Sequence, residues 1–247
     1  MNIQYGDIFQ LGNHKLAYGD ASDRELIKKI VNRDRIKLLL LDPPYGVSAV
    51  ENKQGFVQFK KNKVIINDHN QSEEEYKVFT KNYLDVTIPY LEVKNSAYIF
   101  NSDKMLFALR KGMVEAGFKF SQLLIWIKNH AVMGRMNYLI QHELVVYGWY
   151  GTHDFYKSQD KSVIYYPKPN INLLHPTMKP VGLLRRLILN STKIRDTVYD
   201  CFGGSGSTLI ACEQTKRKCL MVEIDPEYCQ TIINRFEKFS GLKAIKT

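Results

Sequence analysis

Residues 42–45 have the composition of a binding turn for a planar polar group. The run Asp42-Pro43-Pro44-Tyr45 directly follows the apolar residues Leu38–Leu41. The prolines restrict the backbone and have no N–H groups that could compete for nearby acceptors. The Asp42 side chain and the Pro43 carbonyl can therefore converge as two acceptors, while Tyr45 offers a ring face for stacking. This combination fits the exocyclic amino group of a planar base. The alternative is a rigid strand-to-loop turn with a buried tyrosine.

The chemistry that such a turn suits is the activation of a weak nucleophile. The nitrogen of an exocyclic amino group has its lone pair delocalised into the ring, so it attacks electrophiles poorly. Two acceptors that hold the hydrogens of this nitrogen favour a pyramidal geometry with a localised lone pair. A nitrogen in that state can attack an electrophilic methyl group.

A second candidate site is the glycine-rich run Val198–Thr208, which reads VYDCFGGSGST. It has the pattern of an apolar strand, a glycine turn and the start of a helix. Glycines let the backbone approach a ligand closely, and a helix N-terminus attracts an anionic group. The G-x-G-x-x-G and G-K-[ST] patterns are both absent, which argues against a dinucleotide site and excludes a nucleoside-triphosphate P-loop.

An acidic residue lies in register with this glycine turn. Glu223 comes 20 residues after Gly203, at the end of the next predicted strand. An acidic group at that place typically binds the ribose hydroxyls of a nucleoside. The pair predicts a nucleoside cofactor whose anionic part is small, such as a carboxylate. A glycine-rich turn without a ligand is the alternative.

Both candidate sites must be positioned by an α/β fold, because short apolar runs alternate with segments of helical period. The predicted strands are Lys15–Tyr18, Lys37–Leu41, Ala97–Phe100, Phe118–Ile127, His142–Tyr150, Thr197–Cys201 and Cys219–Ile224. The predicted helices are Arg24–Asn32, 72–91, 103–116, Pro180–Thr192, Ser207–Thr215 and a last helix that follows the N-cap Asp225 and ends near Gly241. Ligands of open α/β sheets bind at the carboxyl ends of the strands, where the D-P-P-Y turn falls.

Composition limits the classes of protein that these elements can build. The chain has 247 residues, with 35 Lys and Arg against 25 Asp and Glu, so its formal net charge is +10. This excess favours a polyanionic partner. No apolar run reaches membrane-span length and no secretory pattern opens the chain, so we expect a cytoplasmic protein without membrane contact. The four cysteines and six histidines lack metal-ligand spacing, so neither a disulfide framework nor a metal site is expected.

Two long segments, 46–70 and 128–175, are polar, rich in aromatics and irregular. Residues 128–195 carry ten Lys and Arg against three Asp and Glu. Basic residues interleaved with aromatics suit phosphate contact and base stacking, and an aromatic core beneath a solvated basic face is the alternative. The candidate contacts to nucleic acid are Lys128, Arg135, Lys157, Lys161 and Lys168.

Together, Asp42-Pro43-Pro44-Tyr45 and Asp200-Cys201-Phe202-Gly203-Gly204-Ser205-Gly206-Ser207 resemble the motifs of amino DNA methyltransferases, which use S-adenosylmethionine. The run His175-Pro176-Thr177-Met178-Lys179-Pro180 is a third motif of that family. The order of the motifs is similar to the β group, whose members are circular permutations of the common methyltransferase sheet. The resemblance extends from Gly19-Asp20 to the last helix.

This resemblance implies a Rossmann-like α/β fold with a mixed, seven-stranded, circularly permuted sheet. It also implies a single catalytic domain over residues 1–247, with a small target-recognition insertion around 128–174. The family's catalytic motif matches Asp42, Pro43, Pro44 and Tyr45.

The cofactor-binding residues of the family match positions in four parts of the chain. Those around the methionine part of S-adenosylmethionine match Phe202, Gly203, Gly204, Gly206 and Ser207, with Asp200 and Asp42 beside them. The ribose position matches Glu223 with Ile224, and an acidic position near the adenine ring matches Asp20 with Ala21. The position facing the cofactor carboxylate matches Lys179 with His175 and Thr177.

The implied activity is site-specific methylation of an amino group in double-stranded DNA. The D-P-P-Y spelling, rather than S-P-P-Y, favours adenine N6 over cytosine N4. The base would be flipped out and methylated directly, without a covalent intermediate, and the chain contains no Pro-Cys dipeptide. A bacterial or phage enzyme of restriction-modification type is implied, with a homodimer left open. The rivals are an enzyme that methylates an amide or amine on protein or RNA, and a catalytically silent DNA-binding subunit.

Overall fold

The computed structural model describes residues 2–46, 70–131, 137–157, 159–168 and 178–247. Their strands are β1 (Ile8–Leu11), β2 (His14–Tyr18), β3 (Ile36–Leu41), β4 (Leu91–Asn101), β5 (Phe118–Ile127), β6 (His142–Tyr150), β7 (Val163–Tyr165), β8 (Thr197–Asp200), β9 (Lys218–Glu223) and β10 (Ile245–Lys246). Their helices are α1 (Arg24–Val31), α2 (Glu73–Asp85), α3 (Leu106–Glu115), α4 (Val181–Ser191), α5 (Ser207–Thr215) and α6 (Pro226–Ser240), with a short 3₁₀ helix at Ile88–Tyr90.

These strands form one mixed sheet in the order β10-β1-β2-β9-β8-β3-β4-β6-β5-β7. Neighbours from β2 to β4 are parallel, whereas β6 is antiparallel to both β4 and β5. The described sheet therefore has ten strands instead of the seven expected. The seven strands predicted from the sequence are the contiguous run from β2 to β5. The three additional strands lie at or near the sheet edges and have only two to four residues, which is too short for a clear hydrophobic pattern.

The sheet is covered on both faces, which explains the continuous apolar sequence of β3. Leu38 and Leu40 pack in the core beneath α4, α5 and α6. Leu39 and Leu41 point to the opposite face and pack with α1, α2 and α3. Alternate residues of a strand point to opposite faces, so a strand buried on both sides needs apolar residues at every position. This arrangement of layers holds β3 rigidly inside the sheet. Its carboxyl end lies at the edge that is formed by the carboxyl ends of the parallel strands.

Local signals explain where several helices begin and end. The Asp23 side chain accepts the Glu25 and Leu26 N–H groups at the start of α1. At α2, Ser72 and Glu75 form a reciprocal capping box. In α6, Asp225 is the N-cap and Gly241 closes the helix with φ +75°, as predicted.

The prediction of a helix over 72–91 was too long. Helix α2 ends at Asp85, and a 3₁₀ helix that contains Pro89 separates it from β4. Because proline lacks the N–H that a continuing helix requires, it stops the helical pattern there. Strand β4 then begins at Leu91, six residues before the predicted start. In the described part of the chain, no helix is both long and apolar enough to span a membrane.

Candidate active site

The D-P-P-Y turn and the glycine turn meet at one edge of the sheet. Strands β3 and β8 are parallel neighbours, so Asp42, which follows β3, and Asp200, which ends β8, lie at the same edge. Gly46 completes the first turn with φ +63°, and its carbonyl accepts the Gln71 N–H at 3.0 Å. The cleft between the turns encloses about 380 Å³, part of it open to solvent, and is lined by Leu40, Leu41, Asp42, Phe100, Met178, Lys179, Leu184, Asp200, Phe202, Gly203, Gly204, Ser205, Ser207 and Thr208.

In the cleft, Asp42 is held by a lysine and a tyrosine. The Lys179 Nζ lies 2.7 Å from Asp42 Oδ1 and 2.6 Å from Oδ2. The Tyr45 hydroxyl lies 3.1 Å from Oδ1 of the same carboxylate. Lys179 is only 6% exposed, and its ammonium also lies near the rings of Tyr45 and Phe100. The carboxylate thus has a fixed orientation at the end of β3.

A second carboxylate, Glu143 of β6, extends this arrangement into a buried ion network. Its Oε2 lies 3.2 Å from Lys179 Nζ and 3.1 Å from the Tyr45 hydroxyl. Its Oε1 lies 2.8 Å from Nζ of Lys128, which is 3% exposed. The four charged groups, two lysines and two carboxylates, balance one another. Nearly buried charges are tolerated when they are paired in this way.

The pKa values of the network follow from burial and from these pairs. Burial acts to raise the pKa of Glu143, but the positive charges of Lys179 and Lys128 outweigh it and lower the pKa to about 2. Burial raises the pKa of Asp42, with the Lys179 charge opposing it. Burial acts to lower the pKa of Lys179, but the charges of Asp42 and Glu143 raise it. Glu143 and Lys179 are therefore both charged at neutral pH.

Glu143 was not predicted from the sequence. Its signal was present, since it is the only acidic residue of the otherwise apolar and aromatic strand HELVVYGWY. A lone carboxylate in a buried strand needs a partner. The identity of that partner depends on the order β4-β6-β5, which brings the start of β6 to the same edge as the end of β3.

The glycine turn after β8 has the backbone that its sequence requires. Gly204 and Gly206 have φ of +52° and +80°, and the Gly206 N–H donates to the Gly203 carbonyl at 2.8 Å. A Cβ on Gly203 would lie 2.9 Å from Met221 Cγ, and one on Gly206 would lie 3.2 Å from Ile232. Glycine therefore allows both the left-handed backbone and the close packing on β9 and α6.

Two side chains support this turn from behind. Glu223 Oε2 accepts the Gly204 N–H at 2.6 Å, and Oε1 accepts the Asp225 N–H at 2.8 Å. Burial raises the pKa of Glu223 to about 7. Arg235 Nη1 donates to the Ser205 carbonyl at 2.9 Å and to the Ser207 hydroxyl at 3.2 Å. Arg235 was not predicted as a site residue, because its place one turn beyond Ile232 in α6 is evident only from the packing of that helix.

Asp200 lies at the floor of the cleft, where it is 3% exposed. Its Oδ1 accepts the Phe202 N–H at 3.0 Å. Burial raises the pKa of Asp200 to about 8, despite the hydrogen bonds from Thr208 and Phe202. Asp200 is therefore mostly protonated at neutral pH, so its carboxyl can donate as well as accept a hydrogen bond.

The cleft has a donor and acceptor set that suits a nucleoside with an amino-acid part. It combines the backbone of a glycine turn, the hydroxyls of Ser207 and Thr208, two carboxyl groups and apolar residues. Such a mixture of an apolar surface with a few fixed polar groups is typical of cofactor sites. The edge continues to β2, because Tyr18 lies opposite Glu223 and is followed by Asp20.

The structure brings most of the predicted cofactor residues to this edge. Asp42, Lys179, Asp200, Phe202, Gly203, Gly204 and Ser207 line the cleft, and Gly206, Glu223 and Ile224 belong to the adjoining turns. Asp20 and Ala21 follow β2, where the Asp20 carboxylate accepts the Ser22 N–H at 2.7 Å. Pro43, Pro44 and Tyr45 follow β3, whereas His175 and Thr177 lie outside the described residues. The Lys179 ammonium lines the cleft and binds Asp42 and Glu143, and its contact with the cofactor carboxylate stays a prediction.

The four described residues among the five predicted nucleic-acid contacts do not form one surface. Lys128 is the clearest correction, because it is buried against Glu143. Arg135 lies outside the described residues. Lys157 follows Tyr156, whose ring lies near Lys37 at the start of β3, so it lies at the edge opposite Asp42. Lys161 is exposed just before β7. Of the five, Lys168 is partly exposed and lies close enough to Glu143 for its positive charge to help lower the pKa of that carboxyl group.

This fold is similar to those of solved DNA methyltransferases. M1.HpyAVI, crystallised as a complex with SAM, superposes with a TM-score of 0.65 at 21% identity, over 89% of this chain and 98% of that one. PvuII DNA methyltransferase, which is cytosine-N4-specific, superposes with a TM-score of 0.72 at 18% identity, over 92% of this chain and 87% of that one. The fold is therefore that of the S-adenosylmethionine-dependent DNA methyltransferases.

Sequence comparison identifies the family. The type II methyltransferase M1.MboII of Moraxella bovis is 22% identical over 255 residues, which covers 84% of this chain and 92% of the relative. The family model of the N6/N4 DNA methylases matches residues 36–235. The chain belongs to this family of amino DNA methyltransferases.

Proposed function

We propose that this protein transfers a methyl group from S-adenosylmethionine to the exocyclic N6 of a flipped-out adenine at specific sites in double-stranded DNA. The observation that carries the proposal is the position of Asp42. Its carboxylate is fixed at the carboxyl end of β3 and lines the same cleft as the glycine turn. An acceptor for an amino group thus adjoins a site suited to a nucleoside cofactor.

The residues present fit the cofactor. The glycine turn and the hydroxyls of Ser207 and Thr208 would hold its amino-acid part. Glu223 would accept from the ribose hydroxyls, since each of its oxygens has one backbone N–H donor and can accept another hydrogen bond. Asp20 would lie toward the adenine of the cofactor. When bound, S-adenosylmethionine supplies an electrophilic methyl group.

The protein's part in the reaction is to position and polarise the target amino group. Asp42 accepts an N–H of the adenine amino group, and the Pro43 carbonyl is the second acceptor. The ring of Tyr45 is the stacking surface for the flipped base in this proposal, and its hydroxyl is anchored between Asp42 and Glu143 at 3.1 Å from each. Holding reactants in a productive orientation supplies a large part of the barrier reduction in such a transfer.

The proton that the amino group must lose also favours a catalytic role for Asp42. When the amino nitrogen takes the methyl group, the bond between the sulfonium sulfur and the methyl carbon breaks, S-adenosylhomocysteine is left as the product, and the nitrogen carries one proton too many. The pKa of Asp42 is raised by burial, so the carboxylate can accept that proton before release to water. No covalent bond between protein and base is required.

Adenine is proposed as the target base instead of cytosine because the motif reads D-P-P-Y and not S-P-P-Y. An aspartate at this position supplies a carboxyl acceptor, and in its ionised form its hydrogen bonds are about twice as strong as those of a neutral acceptor. Cytosine-N4 methylation is the second candidate, because the cytosine-N4-specific PvuII enzyme shares the fold at a TM-score of 0.72. Both reactions use an exocyclic amino group.

The target-recognition segment is proposed to lie within residues 128–174, as a small insertion in a single catalytic domain. The described part of this segment includes the connection between β5 and β6, which lies at the edge of the sheet that holds Asp42. Tyr138 of this connection is 90% exposed.

Product analysis tests the proposal. The purified protein is incubated with isotopically labelled S-adenosylmethionine and unmethylated double-stranded DNA, and the DNA is digested to nucleosides for mass spectrometry. Label in N6-methyldeoxyadenosine is the expected result. Label in N4-methyldeoxycytidine would replace adenine by cytosine as the substrate. Unlabelled DNA, with labelled RNA or protein or with no product, would contradict the proposal.

A further inference from the structure

Glu143 of β6 contacts the D-P-P-Y turn directly at Tyr45 and indirectly through Lys179, which holds Asp42. It is bound by Lys128 on one oxygen and by Lys179 and Tyr45 on the other. Neither Glu143 nor Lys128 is among the described residues that line the cleft, whereas Asp42 and Lys179 are. Glu143 therefore acts on the cleft only through the groups that it holds.

We propose that Glu143, backed by Lys128, is the positioning residue that fixes the orientation and charge of the acceptor pair Asp42–Tyr45. This inference rests on the proposed methyl transfer. It assigns a role to two residues that lie behind the D-P-P-Y turn and that its motif does not include.

The hydrogen-bond capacity of Lys179 supports this role. An ammonium group has three N–H donors. Its Nζ lies 2.7 and 2.6 Å from the two Asp42 oxygens, 3.2 Å from Glu143 Oε2 and 3.3 Å from the Tyr45 hydroxyl oxygen. All three donors thus have acceptors within reach, and both oxygens of the Asp42 carboxylate are held by the same ammonium. Without Glu143, the ammonium loses its second carboxylate, and its third donor is left with the Tyr45 hydroxyl, a neutral acceptor.

Tyr45 depends on the same residue. Its hydroxyl has one hydrogen and lies 3.1 Å from both Asp42 Oδ1 and Glu143 Oε2. The hydroxyl is thereby centred between two carboxylates, which fixes the tilt of the ring. Because the ring is the proposed stacking surface for the base, a change at Glu143 alters both the acceptor and the stacking platform.

The charge balance gives the inference a signature that simple packing lacks. Asp42 is faced by Lys179, Tyr45, Glu143 and Asp200. Glu143 is faced in addition by Lys128 and Lys168. Removal of the Glu143 charge leaves the lysines in excess and favours the ionised form of Asp42. Removal of the Lys128 charge leaves the carboxylates in excess and has the opposite effect.

The test is a titration of Asp42 in the wild type, E143Q, K128M and the double variant. The carboxyl carbon of Asp42 is followed by NMR in protein labelled with ¹³C-aspartate and is assigned by its loss in D42N. We expect the midpoint to move down by about one pH unit or more in E143Q, up in K128M, and back toward the wild-type value in the double variant. The control is K37M, which breaks a lysine–carboxylate pair at the opposite end of β3 and should leave the midpoint unchanged.

Kinetics provide the second readout. E143Q should lower kcat for DNA methylation by about 10- to 100-fold, with the KM for S-adenosylmethionine changed less than about threefold, and E143D should recover part of the loss. Midpoints that do not move, or that move in the same direction in both single variants, overturn the inference. If E143Q does not fold, K128M decides alone, since an unchanged midpoint there also overturns it. Moving midpoints in a protein that leaves DNA unmethylated would sink the proposed function while the charge network stands.

Discussion

At the residue scale, the Asp42 carboxylate has few acceptor positions left for a substrate. A carboxylate accepts about four hydrogen bonds. Lys179 donates to both oxygens, and Tyr45 lies within hydrogen-bond distance of Oδ1. About one acceptor position therefore remains, on Oδ2, and the proposed amino group requires one. The network thus leaves the aspartate oriented without blocking it.

Replacement of Asp42 tests this arrangement. D42A should lower kcat at least about 10²-fold, the usual cost of losing one preorganised hydrogen bond in the transition state, and D42N should lose less because it keeps a neutral acceptor. Both should bind S-adenosylmethionine, which can be measured by calorimetry beside a single-turnover methylation assay. D85N, at the end of α2, is the control and should retain activity. Near-normal turnover in D42A would refute the catalytic role.

Asp200 should give the protein a distinctive pH dependence. Its folded pKa of about 8 exceeds the unfolded value, so the folded protein keeps a proton that the unfolded chain releases. The stabilisation is fully present below about pH 4 and is lost as the pH rises toward 8. The free energy of unfolding of the wild type, relative to D200N, should fall by on the order of 1 kcal/mol per pH unit in that window.

Urea denaturation at several pH values measures this difference. Asparagine retains the oxygen that accepts the Phe202 N–H, so D200N isolates the proton from the hydrogen bond. D103N, at an exposed aspartate, should keep the pH dependence of the wild type. If the free energy of unfolding changed with pH in the same way for the wild type and D200N, the pKa of Asp200 would not be raised in the folded protein.

The residues of the site differed in how far the sequence could predict them. Asp42 and the glycines could be predicted because their chemistry depends on immediate neighbours in the chain. Glu143 could not, because it meets Tyr45 across 98 positions and only through the strand order. Lys128 was assigned to DNA for the same reason, since its sequence shows a charge but not the carboxylate that buries it.

At the scale of elements, long apolar or strongly periodic segments could be predicted and short or edge segments could not. The predicted bounds of β5, β6 and α5 agree with the structure. Strands β1 and β7 were missed, because four and three residues leave too little alternation to detect. The ends of elements depend on contacts such as sheet pairing, which local sequence does not contain.

A substitution in the glycine turn tests whether its left-handed backbone matters both for stability and for cofactor binding. G206A requires alanine at φ +80° and brings a Cβ within 3.2 Å of Ile232. We expect a loss of about 1–2 kcal/mol of unfolding free energy from the left-handed backbone alone. We also expect about tenfold weaker binding of S-adenosylmethionine, because the turn that lines the cleft must shift.

A second glycine provides the matched control. Gly241 ends α6 at φ +75°, and a Cβ at this position would have no atom of the described residues within 4 Å. G241A should therefore show a similar loss of stability in urea denaturation while binding the cofactor normally in calorimetry. Equal affinities for G206A and the wild type would show that the turn does not contact the cofactor.

At the scale of the whole molecule, the basic excess is divided between the interior and several surfaces. Residues 128–195 hold much of the net positive charge. Lys128 and Lys179 nevertheless neutralise carboxylates beside the cleft, and Arg186 pairs with Asp160. Charge counted along a sequence therefore overstates the charge that faces a partner. The surface that faces DNA must therefore be inferred from the positions of the basic residues in the fold.

Position distinguishes two lysines of this segment. Lys168 follows β7 at the edge that holds Asp42, and its N–H donates to Asn129 Oδ1 at 2.9 Å. Lys157 lies toward the opposite edge, next to Tyr156, whose N–H donates to the carbonyl of Asn190 near the end of α4. A flipped base must reach the cleft, so the flanking phosphates should lie within reach of Lys168 and far from Lys157.

The salt dependence of DNA binding can separate these two positions. Loss of one phosphate contact should reduce the slope of log K against log salt concentration by about 0.9. We expect this reduction and a lower affinity in K168A, and neither in K157A, when a fluorescent duplex is titrated by anisotropy at several salt concentrations. Equal slopes for K168A and the wild type would remove Lys168 from the interface. A reduced slope in K157A would instead place a phosphate contact at the far edge of the sheet, at the end of β3 opposite Asp42.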